Sequence, residues 1–378
     1  MDKLAETPPL ISSAELVDQA VAVVFEDGRS LSFEDCWLRD QCRCTTCYNH
    51  TTFQRATHIL DIPDSKVAKI VFNPTQLSLT WNDGHESSYA AEFLSEFDYS
   101  TWKNKSRLRP VLWRGADVAC RVARVPVDQF LNSVDAQKKV FQSLLDYGVV
   151  LFERVEPTLD ATEAICSALG GVQHTLFGGM WRFSSGQQRA DTAYTSLPLA
   201  AHTDNTYCTE AAGLQIFHCL QHSGGTGGET VLYDGFFAAS QLKADHPEDF
   251  DFLSSFHLQA EYVEPGHHHA YSAPVISVDE RTGDLKQIRY NVYDRSTMAF
   301  SSAEECRSYY RSLRSFARYC EDPKNQWIFK LTPGLVLAFD NFRVLHGRTA
   351  FTGERVLGGS YVARSDWLDR ARTLKLIE

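Results

Sequence analysis

Apolar positions along this chain change period as it proceeds. Up to about residue 105, two short runs rich in β-branched and aromatic residues, Val67 to Phe72 and Leu77 to Trp81, are separated by Asn73-Pro74. The second is closed by Asn82-Asp83-Gly84, a turn signal. They predict a small β-rich module. Residues Lys103 to Pro126 carry few apolar pairs and a proline, Pro110, and read as a connection. The spacing then becomes helical: Val140, Phe141, Leu144 and Leu145 make one stripe over Ala136 to Tyr147, and Gly148 stops it. A buried strand follows at Val149 to Phe152, then a second helix to Leu169, ended by Gly170-Gly171.

From Leu214 on, strand-like runs dominate: Leu214 to Cys219, Glu229 to Tyr233, Gln287 to Tyr293, Trp327 to Leu331, Leu335 to Phe339 and Val356 to Val362. Helices near Phe236 to Lys243 and Ala303 to Tyr319 interrupt them, and Pro333-Gly334 turns between two of the strands. Many short strands with a few flanking helices predict a mainly β fold, a double-sheet jelly roll of the cupin kind. The expected division is residues 1–105 for the small N-terminal domain and 106–378 for the larger one. No internal repeat or low-complexity segment breaks this pattern.

Composition narrows the function. A hydrophobic share of 43% and a charged share of 22% are those of an ordinary soluble globular protein. The formal net charge of −11 argues against nonspecific nucleic-acid binding and against an anionic membrane surface, and no apolar run reaches a membrane span. Early acids, with no arginine before Arg29, make the N-terminus unlike a signal or transit peptide, so a cytoplasmic location is expected, with a mitochondrial one as the alternative.

Ten cysteines in 378 residues do not make a disulfide scaffold, but Cys42, Cys44 and Cys47 crowd into six positions. Three thiols so close suit a tetrahedral soft-ligand site such as structural zinc. His85, lifted on the turn after Trp81, is the expected fourth ligand, with Cys36, His50 and His58 as rivals and unpaired reduced thiols as the bland alternative.

The chemistry centres on His202-Thr203-Asp204 and the distant His346. Two histidines and a carboxylate are the donor set of a facial triad, which holds one face of a non-haem Fe(II) and leaves the other open. On an extended strand, residues two apart project to the same side, so His202 and Asp204 can meet one metal. Thr230 follows Gly227-Gly228-Glu229, and Arg355 lies nine residues beyond His346. A guanidinium and a hydroxyl are what the far carboxylate of a 2-oxo-dicarboxylate needs. This order of residues resembles the layout of 2-oxoglutarate-dependent oxygenases. His267-His268-His269, after Pro265-Gly266, reads as a loop, His218 and His222 as core or loop residues, and Gly224 to Gly228 as a hairpin turn.

Longer stretches carry a closer resemblance. Trp37-Leu38-Arg39-Asp40, Gly179-Met180-Trp181, Asp191-Thr192-Ala193-Tyr194-Thr195, Gln215-Ile216-Phe217-His218-Cys219 and Arg289-Tyr290-Asn291-Val292-Tyr293-Asp294-Arg295 resemble the family of γ-butyrobetaine and trimethyllysine dioxygenases, the latter especially. That resemblance implies Fe(II), 2-oxoglutarate as co-substrate, ascorbate, O2, a structural zinc and a homodimer. It implies a quaternary-ammonium amino-acid substrate, N6,N6,N6-trimethyllysine, hydroxylated at C3 in the first step of carnitine biosynthesis. The alternatives are γ-butyrobetaine hydroxylation and a non-catalytic member of the fold. A trimethylammonium group donates no hydrogen bond and is held by aromatic faces. By resemblance Trp181, Tyr194 and Tyr361 are such walls, as is Phe177, where the butyrobetaine enzyme has a tyrosine. Asp191 stands where that enzyme has a neutral amide, which implies a partner for an α-ammonium. Asn291 matches an amide of the family that contacts substrate.

Overall fold

The computed structural model describes residues 8–105, 107–184 and 195–377. The chain falls into two compact units, parting between Ser106 and Arg107. In the first, two three-stranded antiparallel sheets, Ile11–Val17, Ala20–Phe25 and Ser30–Glu34, and Val67–Asn73, Gln76–Trp81 and Glu86–Ala90, share one core. Alternation decides which side chains enter it: Leu77, Leu79 and Trp81 are buried while their neighbours are not. Gly84 adopts a positive φ of 80° in the turn that carries His85. A short helix, Asp35–Asp40, delivers the chain to the cysteine cluster.

The second unit holds a six-stranded and a four-stranded sheet. The larger runs in the order Met180–Ser184, Glu354–Val362, Leu214–Ser223, Leu335–Asp340, Val149–Glu153 and Ala123–Pro126, antiparallel except for the last pair. The smaller runs Leu199–His202, Val344–Arg348, Thr230–Asp234 and Trp327–Phe329, antiparallel throughout. The inner strands of both sheets are buried on both faces, so they read as nearly continuous apolar runs. The period of two sorts the side chains. Val150, Phe152, Leu214 and Ile216 pack with Phe141 and Leu144 of helix Val134–Tyr147 and with Ile165 and Leu169 of helix Leu159–Leu169. Val149, Leu151, Leu337 and Phe339 pack instead with Leu232, Trp327 and Val344 of the smaller sheet. Helices Gly235–Asp245, Pro247–Ser255 and Ala303–Glu321 cover that sheet's other face around Val231, Tyr233 and Leu345.

One buried ion pair ties the strand of His346 to its neighbour. Arg343 donates from Nε (3.0 Å) and Nη2 (2.7 Å) to the two oxygens of Asp234, and its other donors reach the carbonyls of Asp146 and Val111. Such a pair is tolerable inside a protein because four hydrogen bonds to carboxylate and carbonyl oxygens replace the lost water.

The expected connection before Pro126 contains a strand, Ala123–Pro126, whose sheet neighbour among the described residues, Val149–Glu153, runs parallel to it. Four residues are too few to show a period. The expected strand Gln287 to Tyr293 is shorter, ending at Ile288, because its continuation turns its hydrogen bonds to the His202 segment: Tyr290 N donates to Thr203 Oγ1. His267-His268-His269 is not a loop. It opens the strand His267–Ala273, paired with Leu258–Glu264 across a turn at Gly266. Among the described residues no helix is long and apolar enough to cross a membrane.

Candidate active site

His202 ends its strand and lies opposite His346 in the sheet register, so the two rings face each other with centroids 4.1 Å apart. Asp204 is not on the strand. The chain leaves it at Thr203, which bonds to Tyr290, and Asn205 takes a positive φ of 59°. Asn341 holds the turn: its Oδ1 accepts from Asp204 N (2.8 Å) and its Nδ2 donates to the carbonyls of Asp204 and Ala212. Asp204 Oδ1 consequently lies 3.4 Å from His202 Nε2 and 3.7 Å from His346 Nε2, and the three donor groups fall within 4.8 Å of one another.

These residues fit a divalent iron. His202 Nδ1 donates to the Ala200 carbonyl (2.8 Å), which leaves the lone pair on Nε2, facing the other two donors. The second carboxylate oxygen, Asp204 Oδ2, accepts from Gln215 Nε2 (2.6 Å) and from the Tyr361 hydroxyl (2.7 Å). Gln215 and Tyr361 are cross-strand partners, so one register places both donors. Oδ1 is left as the oxygen directed at the histidines. Burial opposes ionisation of Asp204, yet the neighbouring His346 and His202 rings keep its pKa below the usual range. Burial also lowers His202, but the bond and charge of Asp204 outweigh that and raise it, whereas burial and then the charge of His202 push His346 down to about 3.

The triad lines a cavity of about 300 Å3. Thr230, Arg348 and Arg355 line it too, with Thr230 opposite Arg348 in register. Both guanidiniums lie against the Phe351 ring, at 4.9 and 5.5 Å. Burial lowers the pKa of each, and the neighbouring Arg355 charge helps bring Arg348 to about 10. Two buried cations at one end of a cavity attract a dianion.

Aromatic rings form another wall. Trp181 lies 5.9 Å from Tyr361, 5.7 Å from Phe217 and 5.3 Å from Phe183. It packs over Gly359, where an added Cβ would collide with the indole ring and with the Ile216 carbonyl. Phe177 borders this group and makes an edge contact with Tyr262 at 5.8 Å. Asp191 and Tyr194 lie outside the described residues. Asn291 lines the cavity, but its amide nitrogen donates to Asp294 Oδ2 (2.7 Å) and the Thr203 carbonyl, and its oxygen accepts from Tyr293 N. Sequence reasoning passed over Gln215, Arg348 and Asp294 as site residues. Gln215, a lone amide in an apolar run, was the one visible signal.

In the N-terminal unit, His85 Nε2 lies 3.3, 3.8 and 3.7 Å from the sulfurs of Cys42, Cys44 and Cys47. These are the edge lengths of a tetrahedral zinc site with bonds of about 2.0–2.3 Å. Arg39 Nη1 donates to Cys47 Sγ (3.5 Å). Burial, then the Arg39 charge, lowers the His85 pKa, which favours the neutral ring. The rivals are engaged elsewhere or exposed: His50 with the Arg43 carbonyl, His58 with Leu60 N, and Cys36 at the surface.

Residues 112–361 match the family described as taurine catabolism dioxygenase TauD, TfdA family. The human protein named trimethyllysine dioxygenase, mitochondrial, is 39% identical over 353 residues, covering 92% of this chain and 83% of the relative. A trimethyllysine dioxygenase of the yeast Meyerozyma guilliermondii is 33% identical over 380 residues, covering 94% of each chain. The chain belongs to the TauD/TfdA dioxygenases, in the trimethyllysine dioxygenase branch. Iron and 2-oxoglutarate are the cofactors of this dioxygenase family. Residues 14–95 match the N-terminal region described as γ-butyrobetaine hydroxylase-like. Among solved structures, a taurine dioxygenase from Burkholderia xenovorans superposes with a TM-score of 0.50 at 17% identity, covering 68% of this chain and 91% of that one, and shares the fold. The family corrects one expectation. The cytoplasmic location read from the early acids is overturned by the mitochondrial human relative, which favours the mitochondrion. Those acids describe only the residues that contain them.

Proposed function

We propose that this chain is an Fe(II)- and 2-oxoglutarate-dependent hydroxylase of N6,N6,N6-trimethyllysine, acting at C3. One observation carries the reading. A single cavity joins the His202, Asp204 and His346 donors to an arginine end at Arg355 and an aromatic wall at Trp181 and Tyr361. The relatives named trimethyllysine dioxygenases supply the substrate. Iron, once bound, supplies oxidising power against an unactivated C–H bond, drawn from O2 and 2-oxoglutarate. The protein's part is ligation, orientation and exclusion of water. Arg355 pairs with the far carboxylate of 2-oxoglutarate, with Thr230 as the hydroxyl beside it. Trp181, Tyr361 and Phe177 take the trimethylammonium group, together with Tyr194, and Asp191 attracts the α-ammonium. Anchoring both ends of the substrate sets which carbon faces the metal.

Residues 106–378 are the dioxygenase domain in this reading, its two sheets forming a jelly roll. Residues 1–105 are the N-terminal domain, with zinc on Cys42, Cys44, Cys47 and His85. Ascorbate maintains the ferrous state, and the active species is a homodimer.

A paired turnover assay tests the function. The protein is given Fe(II), ascorbate, 2-oxoglutarate and either trimethyllysine or γ-butyrobetaine, and products are followed by mass spectrometry. Oxygen is expected in trimethyllysine. Oxygen mainly in butyrobetaine would replace the substrate and keep the chemistry, and product from neither would remove the reading.

A further inference from the structure

The arginine end of the cavity holds a titratable group that the proposed chemistry leaves unused. His222, which the sequence marks only as a core or loop residue, lies on strand Leu214–Ser223, directly opposite Arg355 of strand Glu354–Val362. Residues paired in this way across antiparallel strands share a face, with Cβ atoms about 4.5–5.5 Å apart. Arg355 lines the cavity and His222 is not among the lining residues, so the imidazole stands behind the guanidinium. Both ring nitrogens are buried, and neither has a hydrogen-bond partner among the described residues.

Three charges surround this ring. Arg355 faces it across the strands, Lys330 adds a second cation from just past strand Trp327–Phe329, and Glu229 is the opposing anion. The Thr349 hydroxyl donates to Glu229 and helps to keep it ionised. Glu354, the next acid along the strand, is exposed and accepts from Gln221 Nε2 (3.1 Å). Burial, then Lys330, then Arg355 hold the His222 pKa below its ordinary 6.5, against the pull of Glu229 and the Thr352 backbone. Arg355 has little room to swing aside. It packs on Gly228, where an added Cβ would lie 3.3 Å from its Cδ and Nε, and over the Phe351 ring. An anion that pairs with Arg355 therefore cancels one of the two cations that oppose protonation of His222, and leaves Glu229 to favour it.

We propose that His222 makes co-substrate binding proton-linked: an anion pairing with Arg355 draws a proton onto the imidazole, and the protonated ring strengthens the hold on that anion. This rests on the placing of the far carboxylate of 2-oxoglutarate at Arg355 and adds a regulation of that site. Reciprocity fixes the sign. His222 binds its proton more tightly in the complex than in the free protein. Affinity for 2-oxoglutarate is thus greatest below the pKa of the free protein and falls as pH rises through that of the complex.

The test is calorimetric titration of Mn(II)-loaded protein with 2-oxoglutarate and with 2-oxoglutaramate, whose far end is a neutral amide. From about pH 8 to about pH 6, wild-type affinity for 2-oxoglutarate is expected to rise about fivefold, the size of a modest coupling between two sites. Titrations in buffers of different ionisation enthalpy should show proton uptake on binding. His222→Gln keeps a planar polar side chain that cannot titrate, and should show neither effect, as should 2-oxoglutaramate with the wild type. A pH dependence retained in His222→Gln would overturn the proposal, as would wild-type affinity that does not vary with pH. An equal dependence with 2-oxoglutaramate would place the proton at the metal end and overturn it too. In each of these cases 2-oxoglutarate still binds and its reading stands. No binding of 2-oxoglutarate by the wild type at any pH would remove that reading, and this proposal with it.

Discussion

At the residue scale, the proposed metal ligand Asp204 is oriented by groups outside the donor triad. Gln215 and Tyr361 both donate to Oδ2, which directs Oδ1 toward His202 and His346. Partners of this kind are worth about tenfold to a hundredfold in metal affinity. Gln215→Leu is therefore expected to weaken Fe(II) or Mn(II) binding by that factor, read by calorimetric titration. Tyr361→Phe should weaken metal binding similarly while preserving affinity for a trimethylammonium ligand, since the ring face stays. Unchanged metal affinity in Gln215→Leu would assign the residue to packing alone. Tyr361 thus combines a hydroxyl bonded to Asp204 with a ring in the aromatic wall, and the sequence alone pointed only to the ring.

At the element scale, helix Leu159–Leu169 meets the outer face of strand Leu214–Ser223 through one polar contact, Thr162 Oγ1 to His218 Nδ1 at 2.8 Å. Thr162 also bonds the Thr158 carbonyl, so the His218 proton sits on Nδ1, and Nε2 is buried with no partner among the described residues. Burial pushes the His218 pKa from 6.5 down to about 4. The unfolded chain therefore takes up a proton that the folded chain refuses as pH falls. This contribution is complete above about pH 6.5 and is lost toward pH 4, an effect of up to about 3 kcal/mol. Urea unfolding across that interval should show the loss in the wild type and a flatter profile in His218→Gln. Identical profiles would exclude His218 as the source. The hairpin Leu258–Ala273 shows where the sequence pattern misled. Its three histidines resemble loop composition, but pairing with Leu258–Glu264 makes them strand, and Tyr262 of that hairpin packs on Tyr207 at 5.0 Å.

At the scale of the whole molecule, the two units rely on different sources of stability. The larger has extensive apolar clusters on both faces of its sheets. The smaller has one modest core beside a cysteine-histidine cluster, and metal binding at such a site is folding free energy. The purified chain is expected to carry one zinc by elemental analysis. Cys44→Ser should lose it and unfold at lower temperature, while still binding iron through His202, Asp204 and His346. Zinc retained by Cys44→Ser would relocate the metal.

Much of this protein was legible in its residues alone. The donor types, their order along the chain and the periods of helix and strand are local properties, fixed by side-chain chemistry and by backbone geometry over a few bonds. Hence His202, Asp204 and His346, the helix stopped at Gly148 and the strand from Leu335 could be named without coordinates. The fourth thiol-cluster partner, His85, was also legible, because the turn at Gly84 is a local signal. Only the tertiary structure decided what depends on register between distant strands. It set Gln215 beside Tyr361, put both on one oxygen of Asp204, and tied Thr206, just past that turn, to Asp294. Register is a sum over the packing of whole sheets and the helices upon them, so no short stretch of sequence contains it.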